Sequence, residues 1–387
     1  MPVPALPLLL ALAAAPPPAG PDPALQRALR VLDRALLVDG HNDLPWAIRE
    51  WKQHPGDVLA YDLRRATPGQ TDLARLRAGR VGAQFWSVYV PAELKSGWAR
   101  VQLEQLDLAR RVIAQYPEAL QLALSADDVE RARKRGRIAS LLGLEGGHVI
   151  ENQLGLLRAF YDLGARYLTL THGSTLDWAD SATDEARHGG LTRFGEEVVR
   201  EMNRLGMLVD LSHVSAETCL DALRVSEAPV IFSHSSARAL CDHPRNVPDS
   251  VLAKMKANGG VVMVTFVNAF VSPEWASGRM PKIAVTIAQV ADHVDHVRKV
   301  AGADHVGLGG DFDGNDSWPE GLSDVSGYPR LLAELVRRGW SDEDLGKLAS
   351  GNVLRVMRQA ELVAQRLAKA RPASTATIES LDGATGR

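Results

Sequence analysis

The sequence predicts an α/β fold, a (β/α)8 barrel of the TIM type with a metal site at the C-terminal ends of its parallel strands. Three observations predict it. From about residue 135, short β-like runs alternate with helical patterns, the signature of βα units and a parallel sheet. Each run is short and mainly apolar, as strands are when protein covers both faces. Histidines and carboxylates follow run after run at the C-terminal end, and a barrel of parallel strands gathers all such ends on one face.

In chain order, strands are read at residues 36–38, around 84–90, and at 138–144, 167–170, 207–211, 230–232, 261–267 and 306–308. Helices lie between them. Phe194, Val198, Met202 and Leu205 share one apolar face, and Gly206 then stops the helix. Pro248 suits the first turn of another helix, ended by Asn258, Gly259 and Gly260. Ile287, Val290, Val294 and Val297 repeat the pattern up to Gly302, with His293 and His296 read on that helix's solvent side. No internal repeat and no Gly/Ser linker divides the chain, so residues 24–370 are read as one domain. Residues 371–387, rich in Ser, Thr, Ala and Gly, are expected to be a disordered polar tail.

Of the 387 residues, 45% are hydrophobic and 24% charged, with a formal net charge of -3. That balance offers neither nucleic acid nor an anionic membrane surface a reason to bind. Leu6 to Ala15 is an uncharged apolar run followed by Pro16, Pro17, Pro18, Ala19 and Gly20. It is too short to span a bilayer and suits a signal-peptide core, although no Lys or Arg precedes it. Residues 1–20 are therefore read as a leader, and the protein as exported, periplasmic or secreted. Cys219 and Cys241 are the two cysteines; they either pair across the barrel or act as small apolar fillers. No apolar segment at the C-terminus signals a membrane anchor.

Chemistry concentrates at the strand ends. Asp39-Gly40-His41-Asn42-Asp43 follows the first strand, then Leu144-Glu145-Gly146-Gly147, Leu170-Thr171-His172, Leu211-Ser212-His213, Phe232-Ser233-His234 and Gly310-Asp311-Phe312-Asp313-Gly314. Imidazole and carboxylate converging on one barrel mouth are good zinc ligands, with room for a water. His41 and Asp43, two residues apart beyond a strand, can face one ion. A buried, unpaired acid after Leu141-Leu142-Gly143-Leu144 would be costly, which favours metal at Glu145. His54, His188, His243 and His305 fall in loops or at the wrong end of a strand. Trp46, Trp86 and Trp178 are read as packing.

Together these motifs, with Tyr167-Leu168-Thr169-Leu170-Thr171-His172 and Phe232-Ser233-His234-Ser235-Ser236-Ala237, resemble those of the membrane (renal) dipeptidases of the amidohydrolase superfamily, over residues 34 to about 360. The resemblance implies a dinuclear zinc dipeptidase. His41, Asp43 and Glu145 would hold one zinc, and Glu145, His213 and His234 the other, with Glu145 bridging. It further implies that His172 and Arg245 contact a dipeptide substrate and that Asp311, also at the substrate, handles protons; a homodimer is implied as well. A bridging carboxylate holds two cations close, and a water between them loses a proton near neutral pH to become the attacking hydroxide. Arg245 offers a planar fork for a terminal carboxylate. Gly173-Ser174-Thr175 stands where vertebrate members carry a cysteine, which points to a soluble bacterial relative. Two alternatives remain. One is an amidohydrolase acting on a cyclic amide or lactone, disfavoured because Glu145, not a lysine, occupies the bridging position. The other is a non-catalytic metal- or solute-binding protein. Side-chain and D/L preference are not written in these motifs.

Overall fold

The structure, a computed structural model, describes residues 22–94, 96–278 and 284–383; the expected leader lies outside them. Nine parallel strands are present among the described residues: Leu37–Asn42 (β1), Val81–Tyr89 (β2), Leu120–Leu122 (β3), Ile138–Glu145 (β4), Ala165–Thr169 (β5), Leu208–Asp210 (β6), Ile231–Phe232 (β7), Val261–Val264 (β8) and Val306–Leu308 (β9). They run in the order β2-β1-β9-β8-β7-β6-β5-β4-β3, and an added β2–β4 pairing closes the ring. β2 lies along β4 from Ala83↔Ala139 to Tyr89↔Glu145. The other edge of β4 is shared: β3 takes Ile138 to Ser140 and β5 takes Leu142 to Glu145. Eight strands thus form the closed barrel, and β3 is an extra strand beside its base. The β8 run is shorter than expected, ending at Val264.

Side chains alternate across each strand. On β4, Ala139 and Leu141 join Phe85, Tyr167, Ile231 and Met263 in one buried cluster, while Leu142 and Leu144 join the packing of the outer helices. Helix Asn352–Ala370 contributes Val353, Val356 and Met357 to the first cluster. Glu145 shares the parity of Ala139, Leu141 and Gly143, so the strand aims it inward.

Helix Arg193–Leu205 forms as expected, with the Thr192 hydroxyl accepting from the Gly195 amide and Gly206 ending it at φ 82°. The helix expected after Pro248 is instead two short ones, Asp249–Leu252 and Met255–Asn258, before Gly259 at φ 82°. Helix Ile287–Ala301 is as read, but His293 departs from its expected solvent side. It is buried, accepts from the Ala237 amide through Nδ1 at 3.0 Å and donates through Nε2 to the Val271 carbonyl at 3.0 Å. Polar composition also misled over the tail. Residues 371–383 fold back on the barrel's outer face and include helix Ile378–Asp382, with Ile378 buried. Cys219 and Cys241 are both free and buried. Among the described residues, no helix is long and apolar enough to cross a membrane.

Candidate metal centre

Six strands deliver the residues singled out in the sequence to one mouth. His41 lies on β1, Glu145 ends β4, and His172, His213, His234 and Asp311 follow β5, β6, β7 and β9 within three residues. With Asp43 and Arg245, all of these but the fully buried His41 surround a cavity of about 280 Å³, completed by Trp46, Tyr89, Phe270, Gly314 and Asn315.

Glu145 sits at the centre, and its two oxygens face different histidines. Oε2 lies 3.4 Å from His41 Nε2 and accepts from the Ser87 hydroxyl at 3.0 Å. Oε1 lies 3.1 Å from His213 Nε2, 3.4 Å from His234 Nε2 and 3.8 Å from His172 Nε2. On the first side, Asp43 Oδ2 is 3.2 Å and Asp311 Oδ1 3.9 Å from His41 Nε2. Three groupings fall within metal-ligand reach: His41, Glu145 and His234; Glu145, His172 and His213; His41, Asp43 and Asp311. Glu145 is common to two of them.

The donor set fits cations better than hydrogen bonds. His41 Nε2 is fully buried with no hydrogen-bond partner among the described residues. His213 Nε2 and His234 Nε2 face each other at 3.0 Å while both point at Glu145. Burial, with Arg245 nearby, holds both of these imidazoles well below the usual histidine range, so each is neutral and free to offer a lone pair. Burial would raise Glu145, yet the neighbouring His41 and His213 imidazoles keep it well below the usual carboxylate range. Burial opposes charge on His41 too, but Tyr167, Glu145 and Asp43 pull it well above an ordinary histidine. The centre therefore attracts positive charge.

Backbone geometry supports the same centre. His213 and Asp311 hold φ of 70° and 64°, a region that residues with a Cβ rarely occupy and that clusters at functional sites. A Cβ on Gly314 would stand 2.3 Å from Asp43 Oδ2 and 2.8 Å from Asp311 Oδ1, so only glycine lets the loop after β9 close over the carboxylates.

The model of the membrane dipeptidase family, peptidase family M19, matches residues 25–371. This chain belongs to that family. It is 48% identical over 352 residues to Dipeptidase 3 of Rattus norvegicus, covering 89% of this chain and 69% of the relative. The fold of the probable dipeptidase PvdM from Pseudomonas aeruginosa superposes with a TM-score of 0.80 at 24% identity, over 89% of this chain and all of that one. A metallo peptidase from Rhodobacter sphaeroides, solved with a phosphinate mimic of the dipeptide L-Ala-D-Ala, is 25% identical with a TM-score of 0.75, over 84% and 99% of the two chains.

For this M19 chain, the remaining site groups fall as follows. Arg245 is buried, donating to the Ser235 hydroxyl at 3.4 Å and the His234 carbonyl at 3.2 Å, with its guanidinium carbon 5.3 Å from the Phe270 ring centre. Burial brings its pKa down to about 10, so it stays cationic at neutral pH. Burial lowers His172 as well, and raises Asp311 well above the carboxylate range, with Asp43 and Glu145 adding to the effect. Asp313 points elsewhere, accepting from the Gln70 amide at 2.7 Å, and burial pushes it up to about 6. His148 donates to or accepts nothing at the cluster; its Nε2 bonds the Val90 carbonyl at 2.9 Å. Trp86 and Trp178 are packing residues, whereas Trp46 lines the cavity. Sequence reading passed over Ser87, Tyr89, Asp210 and Phe270. A β-strand parity argument could have found Ser87, which sits two residues before Tyr89 on the inward face of β2.

Proposed function

We infer that this chain is a dinuclear zinc dipeptidase that hydrolyses dipeptides bearing a free C-terminal carboxylate. The observation that carries this reading is Glu145, whose two oxygens face two separate ligand groups inside a barrel mouth that also holds a buried arginine. His41, Asp43 and Glu145 would hold one ion, and Glu145, His213 and His234 the second. The Rhodobacter relative's dipeptide mimic supports a substrate of this size. Once bound, the two ions would supply Lewis-acid polarisation of the scissile carbonyl and a water of lowered pKa.

The chain's own groups do the rest. Arg245 reads the terminal carboxylate with two parallel N–H donors. That grip leaves no room for a third residue, which confines the enzyme to dipeptides. His172, a neutral imidazole on the cavity wall, donates to the carbonyl oxygen as charge develops there. Asp311, held protonatable by its burial, takes a proton from the attacking water and returns it to the leaving amine. The apolar leader supports export as the route by which the enzyme meets such peptides.

The test compares kcat/KM for a dipeptide and its C-terminal amide in wild type and Arg245→Ala. Each charge-assisted hydrogen bond contributes about 1.5–3 kcal/mol, so amidation should cost wild type at least about tenfold. In Arg245→Ala the acid should fall sharply, the amide should change little, and the gap should nearly close. Independent, additive losses would show that Arg245 does not read the carboxylate. Elemental analysis of enzyme purified without chelator should find about two zinc ions per chain; full activity without metal would end the metal reading.

A further inference from the structure

Behind His213 and His234 lies a buried carboxylate that the catalytic reading does not use. Asp210, the last residue of β6, is fully buried. It makes no ion pair among the described residues, yet accepts four hydrogen bonds. Oδ1 takes the Ser233 amide at 2.8 Å and the Ser212 amide at 3.1 Å; Oδ2 takes the Thr169 and Ser233 hydroxyls, each at 2.6 Å. The Ser233 hydroxyl in turn lies 2.8 Å from His234 Nδ1.

Hydrogen counting fixes the directions. Ser233 owns one hydroxyl proton, and the short contact assigns it to the Asp210 carboxylate. Its oxygen can then only accept from His234, which places the imidazole proton on Nδ1 and bares the Nε2 lone pair. Nε2 is the atom 3.4 Å from Glu145 Oε1 and 3.0 Å from His213 Nε2. The two amides held by Oδ1 begin the loops that carry His213 and His234.

We propose that Asp210 is the positioning residue of the second metal site: through Ser233 it sets the tautomer of His234, and through the two amides it sets the spacing of both histidine loops. This rests on the cluster being a metal centre. Polar partners of this kind behind a ligating histidine are worth about 10- to 100-fold in metal affinity.

Asp210→Asn tests it. The amide keeps the shape and one acceptor, but its NH2 must donate to Ser233, whose proton then turns to His234 Nδ1 and forces the imidazole proton onto Nε2. Nitrogen-15 NMR of metal-free protein should show His234 protonated at Nδ1 in wild type and at Nε2 in the variant. Zinc titration should show one of two sites weakened about 10- to 100-fold. Ser233→Ala, a smaller change that leaves Asp210 three donors, should weaken the same site if the asparagine variant fails to fold. Thr169→Val, which removes a donor to Asp210 outside the relay, should leave tautomer and affinity unchanged. Wild-type zinc affinity and an unchanged tautomer in Asp210→Asn and Ser233→Ala would overturn the proposal. A wild type that binds no zinc, with the tautomers as expected, would overturn the metal reading while the relay stands.

Discussion

At Glu145 one side chain is asked to serve two ligand groups, which makes its substitution diagnostic. Glu145→Gln keeps the volume and the acceptor for Ser87 but replaces the anionic oxygens with one carbonyl and one NH2. Both metals should loosen together, and turnover should fall by about three orders of magnitude or more, as losing a group that stabilises the transition state costs. His213→Ala touches only the Oε1 side, so it should empty mainly one site. Equilibrium dialysis followed by elemental analysis separates the two patterns, and full metal content in Glu145→Gln would refute bridging. Residues of this kind were legible in the sequence because histidine and carboxylate are scarce at the ends of buried strands, and each occurrence there calls for a reason. Asp210 and Ser233 were not legible as a pair. Serine and aspartate are ordinary strand-end residues, and their meaning arises only when β6 and β7 lie side by side.

Strands supply the placement that single residues cannot. The barrel strands could be read because protein covers both of their faces. β3 could not: Leu120-Gln121-Leu122 is three residues long, with Gln121 and Leu122 half-buried. Between β4 and β5 the packing reaches the site directly. A Cβ on Gly143 would stand 2.0 Å from Tyr167 Cζ, and the Tyr167 hydroxyl lies 2.9 Å from His41 Nδ1. Gly143→Ala should therefore cost about 1–3 kcal/mol of stability through overpacking and also weaken metal at His41. Tyr167→Phe removes the hydroxyl without adding volume, so it should weaken metal at His41 by about tenfold or more with a smaller stability loss. Denaturant unfolding and zinc titration on both variants check this. Equal stability losses would mean that the ring and the hydroxyl are not separate contributions.

Across the whole molecule, the barrel is fastened on its outside by the segment whose composition reads as disorder. Anchoring needs few residues, and composition averages over them. The Ser374 amide donates to Glu201 Oε2 at 3.3 Å, and Arg158 joins Glu201 at 2.9 Å and the Ser374 carbonyl at 3.0 Å. Arg371 reaches Glu227 at 3.1 Å and the Arg200 carbonyl at 3.0 Å. Asp382 accepts the Phe194 amide at 3.2 Å, satisfying a free donor at the start of helix Arg193–Leu205. That helix packs on helix Asn352–Ala370 and leads through Gly206 into β6, which carries Asp210 and precedes His213. A chain ending at Pro372 should lose the Ile378 burial, about 1.5–3 kcal/mol, and a helix-end acceptor, about 1 kcal/mol. Scanning calorimetry should find the midpoint lower by roughly 3–10 °C. Zinc content per folded molecule should stay at the wild-type value, because no ligand residue touches the removed segment. Metal lost at temperatures where the shortened chain is still folded would show instead that the strap holds β6 in register for the site.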